Sequence, residues 1–126
     1  GSRIERAFYG GCGPDMKQET IQEINRFRDA RHWRQFHNPK DLAISISLEA
    51  SELLELFQWK SNEGVVGVKT EQLKEELADV LIYAAMLADD LGFDLDEIVR
   101  KKLEKNSRKY PVEKSIGRKD KYTELE

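Results

Sequence analysis

Ile21, Ile24 and Phe27 recur at three-residue spacing, which predicts a helix over residues 17–30 with one narrow apolar stripe. A polar and aromatic connection follows, Arg31-His32-Trp33-Arg34-Gln35-Phe36-His37. Asn38 then stands as an N-cap ahead of Pro39, which suits the first position of a helix because it lacks an N–H that would go unpaired there. This second helix is expected to run to about Trp59. Residues 61–69, SNEGVVGVK, hold two glycines and read as a loop. Thr70 is placed to cap a third helix with Glu71 in its first turn, and Gly92 supplies the left-handed stop. Asp94 and Glu97 form a capping box that opens a fourth helix, ending before Pro111. The pattern therefore predicts an all-α fold, a four-helix bundle.

The third helix contains Val80–Ala88, VLIYAAMLA, which is apolar around its whole circumference. Such a helix must be covered on every side. Three short partner helices are too few for that, so the chain is expected to assemble as a homo-oligomer.

The same helical wheel puts acids where they do not belong. Glu49 and Glu52 lie three apart and share a face of the second helix. At ~100° per residue, Leu42, Ile46, Leu53 and Leu56 fall within about 60° of Glu49. The third helix repeats this arrangement: Glu76 and Asp79 are three apart, and Leu73, Val80, Tyr83 and Leu87 surround Glu76. Acid pairs on helices ordinarily face solvent and meet lysine or arginine. Here they sit within the apolar stripes, and neither stripe carries a basic residue near them. Burying an unpaired carboxylate costs several kcal/mol, so four together must meet counter-charge or take up protons.

Oxygen ligands without cysteine or histidine suit a hard cation, Mg²⁺ with Mn²⁺ as a substitute, better than zinc. A di-iron bundle site would need Glu-x-x-His on two helices, and neither His32 nor His37 fits that pattern. The Asp/Asn-rich loop of an EF-hand is also lacking. A carboxylate-held metal with open positions points to phosphate chemistry. On the fourth helix Lys102, Asn106 and Lys109 share a face, with Arg108 adjacent, and form a candidate phosphate clamp. Trp33, Phe36, Trp59 and Tyr83 are the aromatics nearest to these elements in sequence, and both tryptophans sit at helix boundaries beside polar residues, where a base can stack.

Composition narrows the picture. The 126 residues suffice for one modest core. With 24 acids against 21 bases the net charge is −3, which argues against binding a nucleic-acid polymer. No apolar run approaches the ~20 residues that span a bilayer, so no membrane partner is expected. The lone Cys12 permits no internal disulfide and fits a reducing, cytoplasmic compartment. The opening stretch has no signal-peptide core. Residues 1–15 read as a foreign leader ahead of a native start at Met16, with residues 16–126 forming the domain.

The strings WRQFHNP, ELLELFQWK, EELADVLIY, NSRKYP and KYTEL, with Glu49-Ala-Ser-Glu52, Glu76-Leu-Ala-Asp79 and Lys102-x-x-x-Asn106, resemble the MazG-like all-α NTP pyrophosphatases over nearly all of residues 17–126. Within that family the likeness is greatest to its dCTP-hydrolysing branch. The resemblance implies a tetramer with sites at a dimer interface, and magnesium held by Glu49, Glu52, Glu76 and Asp79. It also implies a nucleotide held by Trp33, Arg34, Gln35, Phe36 and His37 together with Trp59 and Tyr83, and approached by Asn106. The expected reaction is hydrolysis at the α-phosphate, with Glu52 orienting or deprotonating the water and Lys102, Arg108 and Lys109 facing the leaving pyrophosphate. A substrate-facing histidine of the animal enzymes falls on Ile24 here. The rival readings are dUTP, broad dNTP or phosphoribosyl-ATP hydrolysis on the same scaffold, and a non-catalytic helical interaction module.

Overall fold

Capping chemistry sets most of the helix boundaries in the computed structural model, which describes residues 18–117. The leader, the start at Met16, Cys12 and the KYTEL tail lie outside the described residues. Helix α1 spans Gln18–Ala30. It ends as His32 takes a left-handed conformation, φ 53°, and Trp33–Phe36 wind into a single 3₁₀ turn. Asn38 caps as expected: its side-chain oxygen accepts a hydrogen bond from the Asp41 amide at 2.8 Å, and Pro39 opens helix α2, Pro39–Glu55.

Helix α2 stops short of Trp59. Residues after Glu55 continue as a series of tight turns, with the Phe57 amide donating to the Leu54 carbonyl and the Lys60 amide to the Phe57 carbonyl. The 61–69 segment, read as a loop, contains a short helix α3, Asn62–Val66. The Ser61 hydroxyl accepts from the Gly64 amide at 3.1 Å and supplies the N-cap that two glycines had obscured. Val65 from this turn is fully buried. Thr70 does not cap helix α4, Thr70–Leu91; it is the first helical residue, and its hydroxyl donates back to the Val66 carbonyl. Gly92, φ 71°, closes α4, where a side chain would strain the backbone.

Helix α5, Leu95–Lys109, begins at Asp94, whose carboxylate accepts from the Glu97 amide at 3.0 Å. Beyond Pro111 the chain makes a further short helix, α6, Val112–Ser115. The described residues are thus helical throughout their regular structure, as expected, with two short helices added to the four long ones. They divide into two compact units. One runs to Phe93 and holds α1–α4, and the other begins at Asp94 and holds α5 and α6. Three of the four long helices therefore share one unit, and the fourth heads a unit of its own.

Within the first unit α2 and α4 pack along their length, and α1 lies on α4. Leu42, Ala85, Met86 and Ala88 are buried in these helices, and the two large side chains, Leu42 and Met86, each contribute about 1.5–3 kcal/mol on leaving water. One residue among them is unexpected. Arg28 of α1 is completely buried. Among the described residues of α4, Leu81 of the all-round apolar run and Leu77 one turn before it are exposed. Among the described residues no helix is long and apolar enough to cross a membrane.

Candidate metal centre and nucleotide site

The α2–α4 pairing turns the two acid pairs toward one another. One carboxylate oxygen each from Glu49, Glu76 and Asp79 lies within 4.8 Å of those of the other two. All three residues are half-buried. The wheel neighbours that placed Glu49 inward behave alike: Leu42 is buried and Ile46, Leu53 and Leu56 are half-buried, whereas Ile44, Leu48 and Leu54 off that stripe are exposed.

Oε2 of Glu49 and Oε2 of Glu76 are enclosed without a hydrogen-bond partner. An orphaned buried oxygen is costly and uncommon in native proteins. No lysine or arginine pairs with either acid among the described residues. The electrostatics follow. Burial, then the hydrogen-bonding approach and like charge of Glu52, then Asp79 and Glu76, push the Glu49 carboxyl up to about 7. Glu76 is raised for the same leading reasons, burial and Glu52. Burial first, and then the charges of Glu49, Asp79 and Glu52, raise the pKa of the Tyr83 phenol. Glu52 itself is exposed and is not among the three carboxylates that meet within 4.8 Å. A hard cation draws its oxygen ligands to roughly 3–4 Å of one another. Three crowded carboxylates with two orphaned oxygens fit such an ion after small side-chain adjustments.

The aromatic connection is built differently. Trp33 meets Phe27 edge to face at 5.4 Å and His37 at 6.3 Å. Arg31 lies over the Phe27 ring at 3.8 Å. Phe36 is largely exposed. Gln35 donates to the His32 carbonyl at 2.9 Å, so its amide N–H₂ is partly used within the turn. Arg34 is engaged by three acids: its Nε meets Asp29, and its Nη1 meets Asp89 at 2.9 Å and Asp90 at 3.2 Å. These bonds, with Asp29 foremost, raise its pKa.

Trp59 is the most exposed large apolar residue described, at 94%, and its φ is 63°. A bulky residue in left-handed backbone is a genuine outlier, of a kind concentrated at ligand sites. Lys102, Asn106, Arg108 and Lys109 lie on α5, in the second unit. Asn106 and Lys109 are the less exposed members of that set, and Arg108 is within 3.4 Å of Glu104.

The wheel did not anticipate Arg28. Its Nη1 and Nη2 reach the two oxygens of Asp90 at 2.9 Å each, and Nη2 also reaches His37 Nδ1 at 2.9 Å. A signal existed in the sequence. Arg28 falls four residues after Ile24 and seven after Ile21, on the apolar stripe, and Asp89-Asp90 directly follows the apolar run Val80–Ala88.

Residues 44–125 match the model of the MazG-like family. The bovine protein named dCTP pyrophosphatase 1 is 38% identical, over 99% of this chain and 79% of its own length. The rat protein of that name is 41% identical, over 86% of this chain and 69% of its own. A crystal structure of a pyrophosphatase from Archaeoglobus fulgidus is 45% identical and superposes with a TM-score of 0.71, covering 75% of this chain and 91% of that one.

Proposed function

The chain belongs to the MazG-like family and is a nucleoside triphosphate pyrophosphatase, and from that premise we propose that it hydrolyses dCTP or a closely related deoxynucleoside triphosphate to the monophosphate and pyrophosphate, with Mg²⁺ as its cofactor and Mn²⁺ as a substitute. The observation that carries the metal assignment is the half-buried Glu49, Glu76, Asp79 triad with its two orphaned oxygens. These three residues would hold the ion, with Glu52 as a fourth ligand or as the base. When bound, the cation neutralises phosphate charge and lowers the pKa of water.

Glu52, exposed to solvent, would orient the attacking water toward the α-phosphorus and take its proton. Trp59 and Trp33 offer faces for the base, and Tyr83 lines the wall next to the acids. Lys102, Asn106, Arg108 and Lys109 are assigned to the phosphates, where they would stabilise the leaving pyrophosphate. His37, Gln35 and the backbone near Phe36 are the candidates for reading the base edge. Arg34, tied to Asp29, Asp89 and Asp90, contributes by holding this connection in place. The preference for cytosine is supported by likeness to the proteins named dCTP pyrophosphatase 1. The working form is proposed to be a homotetramer, a reading supported by the exposed Phe27, Leu48, Leu54, Leu77 and Leu81.

Product analysis on a panel of dCTP, dUTP, dTTP, dATP, dGTP and phosphoribosyl-ATP tests the proposal. Monophosphate and pyrophosphate should appear together, only with Mg²⁺ or Mn²⁺, and fastest from dCTP. Orthophosphate and diphosphate as first products would refute attack at the α-phosphorus. Equal kcat/KM across the four common dNTPs would remove the cytosine preference.

A further inference from the structure

Arg28 has a use that charge pairing with Asp90 does not explain. A guanidinium carries five N–H donors, accepts nothing and stays protonated. Two of its groups hold the Asp90 carboxylate as a fork, and the same Nη2 lies 2.9 Å from His37 Nδ1. That contact is a hydrogen bond only if Nδ1 is bare. An Nδ1–H tautomer would set two donors against each other, and an imidazolium would add a second positive charge. A flipped ring would place a carbon at hydrogen-bond distance from the guanidinium nitrogen.

We propose that Arg28, clamped by Asp90, is a positioning residue that holds His37 as the neutral Nε2–H tautomer, so that His37 reads its nucleotide as a hydrogen-bond donor to a bare ring nitrogen or carbonyl oxygen of the base. The second part rests on the assignment of His37 to the base edge made above.

Three further features support this. Arg28 is 0% exposed, so its fork is shielded from competing water. Nε2 has no hydrogen-bond partner among the described residues, which leaves the donor for a ligand. Burial and the charges of Arg28 and Arg34 lower the His37 pKa against the opposing pull of Asp90, which favours the neutral ring at neutral pH. The groups facing the ring are thus Arg28 from α1, Asp90 from α4, Arg34 from its own turn, and Trp33 at its edge. The chemical consequence is directional. An exocyclic amino group is a donor, so it is not what His37 contacts; the partner is an atom with a lone pair, such as N3 or O2 of cytosine.

The imidazole nitrogens of the ¹⁵N-labelled, ligand-free protein report this directly. In the wild type at neutral pH, His37 should show a protonated Nε2 and an unprotonated Nδ1. In the paired variant Arg28→Met/Asp90→Asn, which leaves no buried charge behind, both tautomers should appear. A wild-type ring protonated at Nδ1, or at both nitrogens, overturns the proposal, and does so even if the paired variant fails to fold.

Steady-state kinetics on dCTP and its analogue lacking the 4-amino group test the ligand side. His37→Ala should lower kcat/KM for both by a similar factor, roughly five- to tenfold, the loss of one hydrogen bond. A penalty confined to dCTP would mean that His37 meets the amino group and overturns the donor assignment. No penalty on either substrate would instead remove His37 from the base edge, an outcome separable from the tautomer because the spectrum needs no nucleotide.

Discussion

Glu49→Gln in the metal-free protein should raise stability at high pH and leave it unchanged at low pH. Glu49 titrates at about 7 in the folded chain against an ordinary 4.5, with burial as the leading cause. Below pH 4.5 the group is protonated folded and unfolded, and it costs nothing. Between 4.5 and 7 the unfolded chain releases the proton while the folded one retains it, so wild-type stability falls as pH rises, and above 7 the full cost is present. The gap of about 2.5 on the pH scale corresponds to ~3.4 kcal/mol at 1.36 kcal/mol each. Glu49 is only half-buried, and solvent screening reduces the expected effect to about 1–1.5 kcal/mol. For a chain of this length that is a rise in Tm of about 3–8 °C at pH 8. Thermal unfolding in EDTA across pH 4–9 measures it directly. The two proteins should coincide near pH 4 and diverge through pH 7. Excess Mg²⁺ should then favour the wild type, since a bound ion stabilises the state that holds it. If Glu49→Gln follows the wild-type curve at every pH, Glu49 is not a crowded, desolvated acid and the centre is misread.

Glu52→Gln and Asp79→Asn should each fold and lose turnover by at least the roughly 10–100-fold seen when outer-shell partners of metals are removed; near-wild-type kcat at saturating Mg²⁺ for either would discard its assignment. Trp59→Ala should weaken every nucleotide by a similar amount, on the order of 1–3 kcal/mol, because stacking hardly distinguishes bases; titration calorimetry with non-hydrolysable analogues in Mg²⁺ reads this, and a loss confined to one base would refute it. Light scattering at micromolar concentration should find an oligomer, and a well-behaved monomer would end the proposal of an assembled site.

Much of the fold was legible because its signals are local. Asn38-Pro39, Gly92 and Asp94–Glu97 each act within one turn of chain, and each helix boundary they mark is present. Ser61 and Thr70 misled for the same reason: which hydroxyl serves as a cap depends on a short helix, α3, whose buried Val65 is secured by tertiary packing. The acidic centre was legible from the wheel, since a carboxylate amid Leu42, Ile46, Leu53 and Leu56 has few places to go. Arg28 was visible on its stripe but its partner was not, because Asp90 lies 62 residues away and periodicity carries no information about which two helices meet. Trp59 was legible as an aromatic at a boundary but not as a left-handed residue, a property set by the turns after α2.

That left-handed tryptophan has a consequence for how the protein tolerates change. Holding a bulky residue at φ 63° costs ~1–2 kcal/mol that glycine would not incur. Because the side chain is almost wholly in water, little packing in the isolated chain offsets the strain. Trp59→Gly should therefore produce a sturdier protomer that has lost its platform for a base, so selection for stability alone would drive the position away from tryptophan. A library screened only for thermal tolerance should enrich glycine or asparagine there, and one screened for turnover should keep the ring. Stability and activity are set against each other at a single backbone angle.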